Sequence, residues 1–229
     1  MLLLLIPALA LSQDRYESWT RLGITAPINN HWSAALEWHY RRQADFRRDE
    51  LNLFKYPLMI GGRSWISYHL SSQWKIITSP GIFEWFDFEK NGGSLQKSTE
   101  LRWASGIGQT IGLKKARIYN RFLYETRWLG INKGDAIHQN RYRLQNNFLV
   151  PIGPDRTSPA FDVLVADETI LKSQSHNMGF DQFRLLPALQ WRSQVVEISL
   201  GYQWVIQQAN GTGKPIHRNQ LLFGLNFSV

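Results

Sequence analysis

The sequence predicts an all-β protein, an antiparallel transmembrane β-barrel of 10 to 12 strands with a polar interior. Three observations favour this fold class. Apolar and polar residues alternate over long runs, short and long connections alternate along the chain, and Trp and Tyr recur near the ends of the runs. A period of two is typical of strands, because successive side chains point to opposite faces. A lipid-facing barrel turns its apolar face outward and its polar face inward.

Composition narrows the class of protein further. The chain has 229 residues, no cysteine, 26 Lys plus Arg against 18 Asp plus Glu, and a formal net charge of +8. A hydrophobic content of 43% is too high for a disordered chain. The absence of cysteine excludes a disulfide scaffold, thiolate zinc sites and thiol catalysis. No apolar run reaches about 18 residues, so the sequence predicts no membrane-spanning helix.

The first residues resemble a targeting signal. A short apolar run ends in Ala8-Leu9-Ala10, which has the small-x-small pattern of a signal-peptidase site. No charged residue precedes Asp14, so the usual positive segment is missing, and a buried N-terminal strand is the alternative. We predict a signal peptide over residues 1–12 and a single barrel domain over residues 13–229, outside the cytoplasm.

Alternation justifies each strand in turn. In the second segment, for example, Trp32 and Trp38 fall on one face, whereas Glu37 and Arg41 fall on the other. Tight turn sequences or longer polar loops separate the segments. The eleven predicted segments are 16–28, 31–43, 51–70, 74–88, 97–107, 115–129, 138–150, 160–171, 180–191, 195–207 and 217–229.

An odd number of segments conflicts with a closed, all-antiparallel barrel, which needs an even number and places both chain ends on the periplasmic side. We therefore expect one segment to be split, or the first to stay outside the wall. The best candidate for a split is segment 51–70, where Gly61-Gly62 would bend or break the strand.

A soluble β-sandwich or lipocalin-like barrel is the alternative architecture, with the apolar face turned inward. Several charges on many polar faces and strands of about 12 residues favour the membrane barrel. Aromatic residues near strand ends also fit interfacial girdles. The predicted interfacial aromatics are Trp74, Trp128, Trp191 and Trp204.

Several short motifs occur in a familiar order. They are Asn120-Arg121-Phe122 with Glu125 and Arg127, Arg141-Tyr142-Arg143-Leu144 with Pro151, Asp167-Glu168, and Phe180-Asp181-Gln182 with Arg184. Their succession resembles the domain-of-unknown-function 2490 family, regarded as outer-membrane barrels of Gram-negative bacteria. One departure is Phe183, where the family pattern has Asn. The resemblance implies a fold and a bacterial outer-membrane location, but no activity.

Charged residues on the polar faces predict a network inside the lumen. Hairpin geometry places Glu125 opposite Arg143 or diagonal to Arg141, and places Glu168 near both Arg141 and Arg184. Opposite charges across neighbouring strands are favourable, and one Arg can bind two carboxylates. The predicted lumen charge network comprises Glu100, Arg121, Glu125, Arg127, Arg141, Arg143, Glu168, Arg184 and Glu197.

Three functions remain open from the sequence. A narrow or plugged envelope barrel with a structural or loop-binding role is the first, because bridged side chains fill small barrels. The second is a porin-like channel for small solutes that prefers anions, since charged rings select ions. The third is a barrel lipid hydrolase using His31 and Ser33, although this pair falls on the inward face, away from phospholipid.

The sequence also limits cofactors and partners. The six histidines form no metal-binding spacing, and no phosphate-binding loop is present, so we expect no metal and no cofactor. The expected partners are outer-membrane lipid and a small solute or an envelope ligand at the outer loops. No motif supports nucleic-acid binding.

Overall fold

The computed structural model describes residues 13–45, 51–88, 95–134, 136–152, 159–174, 177–208 and 215–229. These residues form one closed barrel of eleven strands, within the predicted 10 to 12. The predicted signal peptide lies outside the described residues. The strands are β1 Gln13–Pro27, β2 Trp32–Gln43, β3 Tyr56–His69, β4 Trp74–Phe88, β5 Leu95–Leu113, β6 Ala116–Leu129, β7 Ile137–Ile152, β8 Ala160–Gln174, β9 Asn177–Arg192, β10 Val196–Gln208 and β11 Pro215–Ser228. A 3-10 turn, Ile131–Lys133, follows β6.

The barrel closes through a parallel seam. Consecutive strands pair antiparallel around the wall, and β1 then pairs with β11 in parallel, from Gln13 beside Ile216 to Thr25 beside Ser228. In a meander with an odd number of strands, the first and the last strand run the same way, so only a parallel pair can close it. The expectation of an even number was therefore wrong. Segment 51–70 is not split, since β3 continues through Gly61 and Gly62.

The two rims of the barrel differ. At one, which we call the short-turn rim, a side-chain oxygen shapes each of three tight turns by accepting bonds from backbone N–H groups two and three residues ahead. Asn29 Oδ1 accepts from His31 and Trp32, Ser71 Oγ from Gln73 and Trp74, and Ser193 Oγ from Val195 and Val196. Such local bonds are a known device of tight turns. The opposite rim, the long-loop rim, carries most of the longer connections, including the longest, between β2 and β3. The exceptions are the seven residues between β7 and β8 at the short-turn rim and the two residues between β8 and β9 at the long-loop rim. β1 starts at the long-loop rim and β11 ends at the short-turn rim.

Apolar side chains cover the outside of the wall and polar ones line the inside. Leu36 is 64% exposed on the outer face, and Leu200 is 56% exposed. On the inner face, Glu17, Glu100 and Glu125 are fully buried. This arrangement is the reverse of a soluble barrel and is the pattern of an outer-membrane-type β-barrel. It confirms the predicted polar interior. No helix in the described part of the chain is long and apolar enough to cross a membrane.

Two β-bulges break the alternation. Pairing between β2 and β3 shifts after Arg41, which faces Met59 while Arg42 faces Pro57, so Leu58 has no partner. Pairing between β8 and β9 shifts after Ile170, which leaves Asp181 as the extra residue. A bulge turns one added side chain to the same face as its neighbour. Leu58 is therefore buried beside Met59, and Asp181 is buried beside Gln182.

Two inward-facing glycines allow close packing inside the wall. A Cβ atom at Gly106 would lie 1.9 Å from the carbonyl oxygen of Phe122, and one at Gly61 would lie 2.5 Å from the ring of Phe83. Gly61 therefore makes room for a buried aromatic ring instead of breaking β3. That ring packs with Leu58, Met59 and Trp85 in a small apolar cluster inside the barrel.

Candidate functional site

A cavity of about 790 Å³ occupies the lumen. Its lining on β6 extends from Tyr119 to Leu129, which is roughly 33 Å along the strand at about 3.3 Å per residue. Among the described residues, the lining includes thirteen Lys or Arg side chains and four Asp or Glu side chains. The candidate site is therefore a long, positively charged lumen.

A central belt of ion pairs joins β6, β7, β8 and β9. Arg143 holds two carboxylates, with its Nη1 2.8 Å from Glu125 Oε2 and its Nη2 2.6 Å from Glu168 Oε1. Arg184 Nη1 lies 3.0 Å from the other oxygen of Glu168, and Arg141 Nη1 lies 4.0 Å from Glu125 Oε1. All five side chains were predicted to lie in the lumen network.

Asp181 completes the belt, although the sequence reasoning did not place it there. Its Oδ2 lies 2.7 Å from Arg141 Nη2, and the β9 bulge turns it inward. A signal was available in the sequence. Phe180 and Phe183 both face outward with two polar residues between them. In a regular strand, residues three positions apart point to opposite faces, so this spacing indicates a bulge.

A second cluster surrounds Glu100 on β5. Arg102 Nε donates to Glu100 Oε1 at 2.6 Å, Arg127 Nε donates to the same oxygen, and Trp85 Nε1 donates to Oε2 at 2.6 Å. Arg127 also donates to Gln139 on β7. This cluster ties β4, β5, β6 and β7 together, and it contains two of the predicted network residues, Glu100 and Arg127.

A third cluster spans the seam. Glu17 on β1 accepts from Arg41 on β2 at 2.5 Å, from Arg218 on β11 at 2.6 Å and from Gln220 at 2.8 Å. These residues were not among the predicted network. Their signal was present, since each lies on the polar face of its strand, but only the parallel pairing of β1 and β11 brings them together.

Two predicted network residues lie elsewhere in the lumen. Arg121 donates to Gln145 Oε1 at 2.5 Å, not to a carboxylate. Glu197 lines a smaller cavity of about 180 Å³ near the short-turn rim, together with Arg21 and Glu37. The structure therefore brings seven of the nine predicted residues into ion pairs and places the other two in separate surroundings.

The register differs from hairpin arithmetic at two of three positions. Glu125 faces Arg141 directly and reaches Arg143 diagonally, the reverse of the first expectation. Glu168 faces Gln145 on β7, so Arg141 lies too far along the strand to pair with it. The expected pairing of Glu168 with Arg184 is present. The errors arise because the true loop centres differ from those estimated from turn residues.

Several aromatic rings project into the lumen from β1 to β4. The guanidinium carbon of Arg41 lies 5.1 Å from the centre of the Trp19 ring, and that of Arg102 lies 4.1 Å from the Phe83 ring. Contacts of this kind between a cation and an aromatic face are attractive. The aromatic rings on this side of the lumen therefore pack against the cations of the second and third ion-pair clusters.

The four predicted interfacial tryptophans lie on the outer wall. Trp74 begins β4 and Trp191 is the last residue but one of β9, both at the short-turn rim. Trp128 is the last residue but one of β6, at the long-loop rim. Trp204 lies farther inside its strand, four residues before the end of β10, with its ring edge-on to His217.

The serine of the hydrolase candidate pairs with a different histidine from the one expected. Ser33 Oγ lies 3.1 Å from His69 Nε2, whereas His31 is exposed at the rim with its Nδ1 3.4 Å from the His69 carbonyl oxygen. The pair faces the lumen, away from the outer apolar wall. Among the described residues, no group of three His, Cys, Asp or Glu side chains is placed to hold a metal ion.

Comparison with known proteins shows the family. The family described as "Protein of unknown function (DUF2490)" matches residues 16–215. The chain belongs to this family. The DUF2490 chain is also similar to two solved structures, the beta domain of the Bordetella autotransporter BrkA and LpxR from Salmonella typhimurium.

The two likenesses are limited to overall shape. The BrkA domain has 10% identity, a TM-score of 0.48 and 76% coverage of each chain. LpxR has 8% identity, a TM-score of 0.48, and coverage of 85% of this DUF2490 chain and 83% of its own. No curated protein matches the chain.

Proposed function

We propose that this protein is a narrow barrel of the bacterial outer membrane whose lumen is restricted by ion pairs. The observation that carries the proposal is the set of three clusters around Glu17, Glu100 and Glu125, which project from most of the wall into the lumen. Buried ion pairs of this kind hold long Arg side chains across the available space. The role is then structural, as a stable envelope barrel that excludes nutrient-sized solutes.

The outer wall supports the membrane location. Large apolar side chains are exposed on every strand from β1 to β11, and tryptophans occur near both rims. Such a surface fits lipid and is unfavourable in water. Outer-membrane lipid is therefore the proposed partner of the wall. A loop-binding role stays a prediction, because much of the long loops lies outside the described residues.

Permeability tests the proposal. The protein without residues 1–12 is refolded in detergent, inserted into lipid vesicles, and assayed for entry of a monosaccharide and for ion current in planar bilayers. We expect exclusion of the sugar and no steady current from the wild type. Steady sugar entry through folded, inserted protein would overturn the proposal.

A small-anion channel is the second candidate function. The cavity lining extends along most of the wall, and thirteen basic side chains outnumber four acidic ones in it. A charged constriction selects ions by sign. In this case the wild type conducts with a preference for anions, and Arg141→Ala shifts the size or the ion preference of that current. No steady current from either the wild type or the Arg141→Ala variant would support the restricted barrel instead.

A further inference from the structure

Two arginines lie against the ring of one tryptophan inside the lumen. The guanidinium carbon of Arg63 lies 3.9 Å from the centre of the Trp65 ring, and that of Arg121 lies 4.5 Å from it. Arg63 precedes Trp65 by two residues on the same face of β3, whereas Arg121 reaches the ring from β6. All three side chains line the main cavity.

The partners of these two arginines are neutral. Arg63 Nε donates to Ser79 Oγ at 2.9 Å, and Arg121 Nη2 donates to Gln145 Oε1 at 2.5 Å. In the described part of the chain, neither has a carboxylate within ion-pair distance. Arg143, by contrast, holds two. Arg63 is only 8% exposed, and its Nη2 is buried without a hydrogen-bond partner.

A third cation adds to the same charge. Lys75 on β4 lines the cavity, and it lies at the same level as Arg121, since Gly108 on β5 faces both residues in the strand register. Like charges in a lumen of this kind are costly unless an opposite charge compensates them. The nearest carboxylates, those of Glu37, Glu125 and Glu168, act on the two arginines only from beyond ion-pair distance. The arrangement therefore leaves both guanidinium groups without a carboxylate in direct contact, beside a cavity with room for an anion.

We infer that Arg63, Arg121 and Lys75 form a binding site for a small oxyanion beside Trp65. Planar guanidinium groups donate pairs of hydrogen bonds to phosphate-like oxygens, and the lysine contributes a point charge. Both guanidinium groups make an attractive cation–aromatic contact with Trp65, which helps to hold them beside the cavity. This inference is independent of the proposed function, because an anion can bind at the site whether or not solutes pass through the lumen.

Inorganic phosphate is the probe that tests this site. Calorimetric titration of the refolded barrel in detergent, at constant ionic strength, is expected to show saturable binding of one phosphate. The unfolding temperature should also rise with phosphate more than with sodium chloride of equal ionic strength, since a ligand of the folded state stabilises it. Trp65→Phe should remove part of the fluorescence change that accompanies binding.

Matched variants decide whether these residues form the site. Arg63→Gln and Arg121→Gln should each weaken phosphate binding at least tenfold, whereas Lys97→Gln, which removes a charge from an exposed pair with Glu84, should leave it unchanged. Equal affinity in all four proteins, or no saturable binding by the wild type, would overturn the inference. If Arg63→Gln does not fold, the phosphate affinity of Arg121→Gln alone tests the inference. Sugar entry in the vesicle assay would leave this result untouched, so the two proposals fail separately.

Discussion

Glu17 on β1 and Arg218 on β11 are 201 positions apart in the chain, yet the Glu17 Oε1 to Arg218 Nε distance is 2.6 Å across the parallel seam. Arg41 and Gln220 bind the other oxygen of the same carboxylate. Parallel pairs have slanted hydrogen bonds and are slightly less stable per residue than antiparallel ones. The side-chain cluster therefore reinforces the one junction of the wall that no hairpin holds together.

Glu17→Gln is expected to destabilise the barrel by opening this seam. The change leaves Arg41 and Arg218 buried without their carboxylate, and loss of one partner from a buried pair costs about 3–5 kcal/mol. The measurement is the temperature at which the refolded barrel loses its folded mobility in gel electrophoresis. Glu84→Gln, which breaks an exposed pair, is the control and should change stability by about 1 kcal/mol or less. Equal effects of the two changes would contradict this role of the seam cluster.

Gly106→Ala should destabilise the wall between β5 and β6. The added methyl group would lie 1.9 Å from the Phe122 carbonyl oxygen, so the backbones must separate. Overpacking of this kind typically costs about 1–3 kcal/mol. Gly112→Ala on the same strand is the control, since nothing lies within 4 Å of its Cβ position. Chemical denaturation in detergent compares the two, and a Gly106 variant as stable as the control would refute the close approach.

Asp181→Asn should weaken the central belt. Without this carboxylate, Arg141 keeps only Glu125 at 4.0 Å, so its charge is poorly compensated. We expect a loss of at least about 2 kcal/mol of unfolding free energy. Asp167→Asn is the matched control, because Asp167 accepts from Asn146 at 2.9 Å and an asparagine can keep that bond. Thermal unfolding compares the stability of the two variants. Equal stability of Asp181→Asn and Asp167→Asn would contradict the inward position of Asp181 at the β9 bulge.

Leu144→Arg should impair folding into lipid. Leu144 lies at the middle of β7 and is 49% exposed on the outer wall. An arginine at the bilayer midplane of a barrel costs about 2–4 kcal/mol, and near the interface only about 0–1 kcal/mol. Leu113→Arg, at the last residue of β5, is therefore the depth control. Folding yields in vesicles measure both, and equal yields would indicate that the wall does not face lipid.

Much of the wall could be predicted from alternation alone. Each of the eleven sequence segments corresponds to one strand, and the inner and outer faces agree with the structure in the six segments for which alternation was assigned in full. A period of two suffices for this, because the apolar face must be either wholly outside or wholly inside. The closure could not be predicted this way. The sequence contains an odd number of segments. Bacterial barrels usually have an even number of strands, and this rule argued against a parallel seam.

The pairing of individual charges was harder to predict. Glu168 and Arg184 were matched correctly, whereas Glu125 and Arg141 were shifted by two residues. Register depends on the turn geometry and on bulges such as the one at Asp181, and neither follows from the pattern of one strand. The inward aromatic Trp65 was missed for a related reason. It lies on a face that also carries Arg63 and Ser67, and the apolar residues of that segment do not alternate cleanly around the glycines.

The parallel seam also limits how the chain can be rearranged. In a barrel with an even number of strands, a two-residue hairpin could join the last strand to the first, and a circularly permuted chain would keep the same wall. Here the end of β11 and the start of β1 lie at opposite rims, with thirteen paired positions between them, or roughly 40 Å along the strand. A linker would have to cross the apolar outer face or pass through a lumen already occupied by ion pairs. This barrel should therefore not tolerate circular permutation at this junction, whereas a barrel with an even number of strands should.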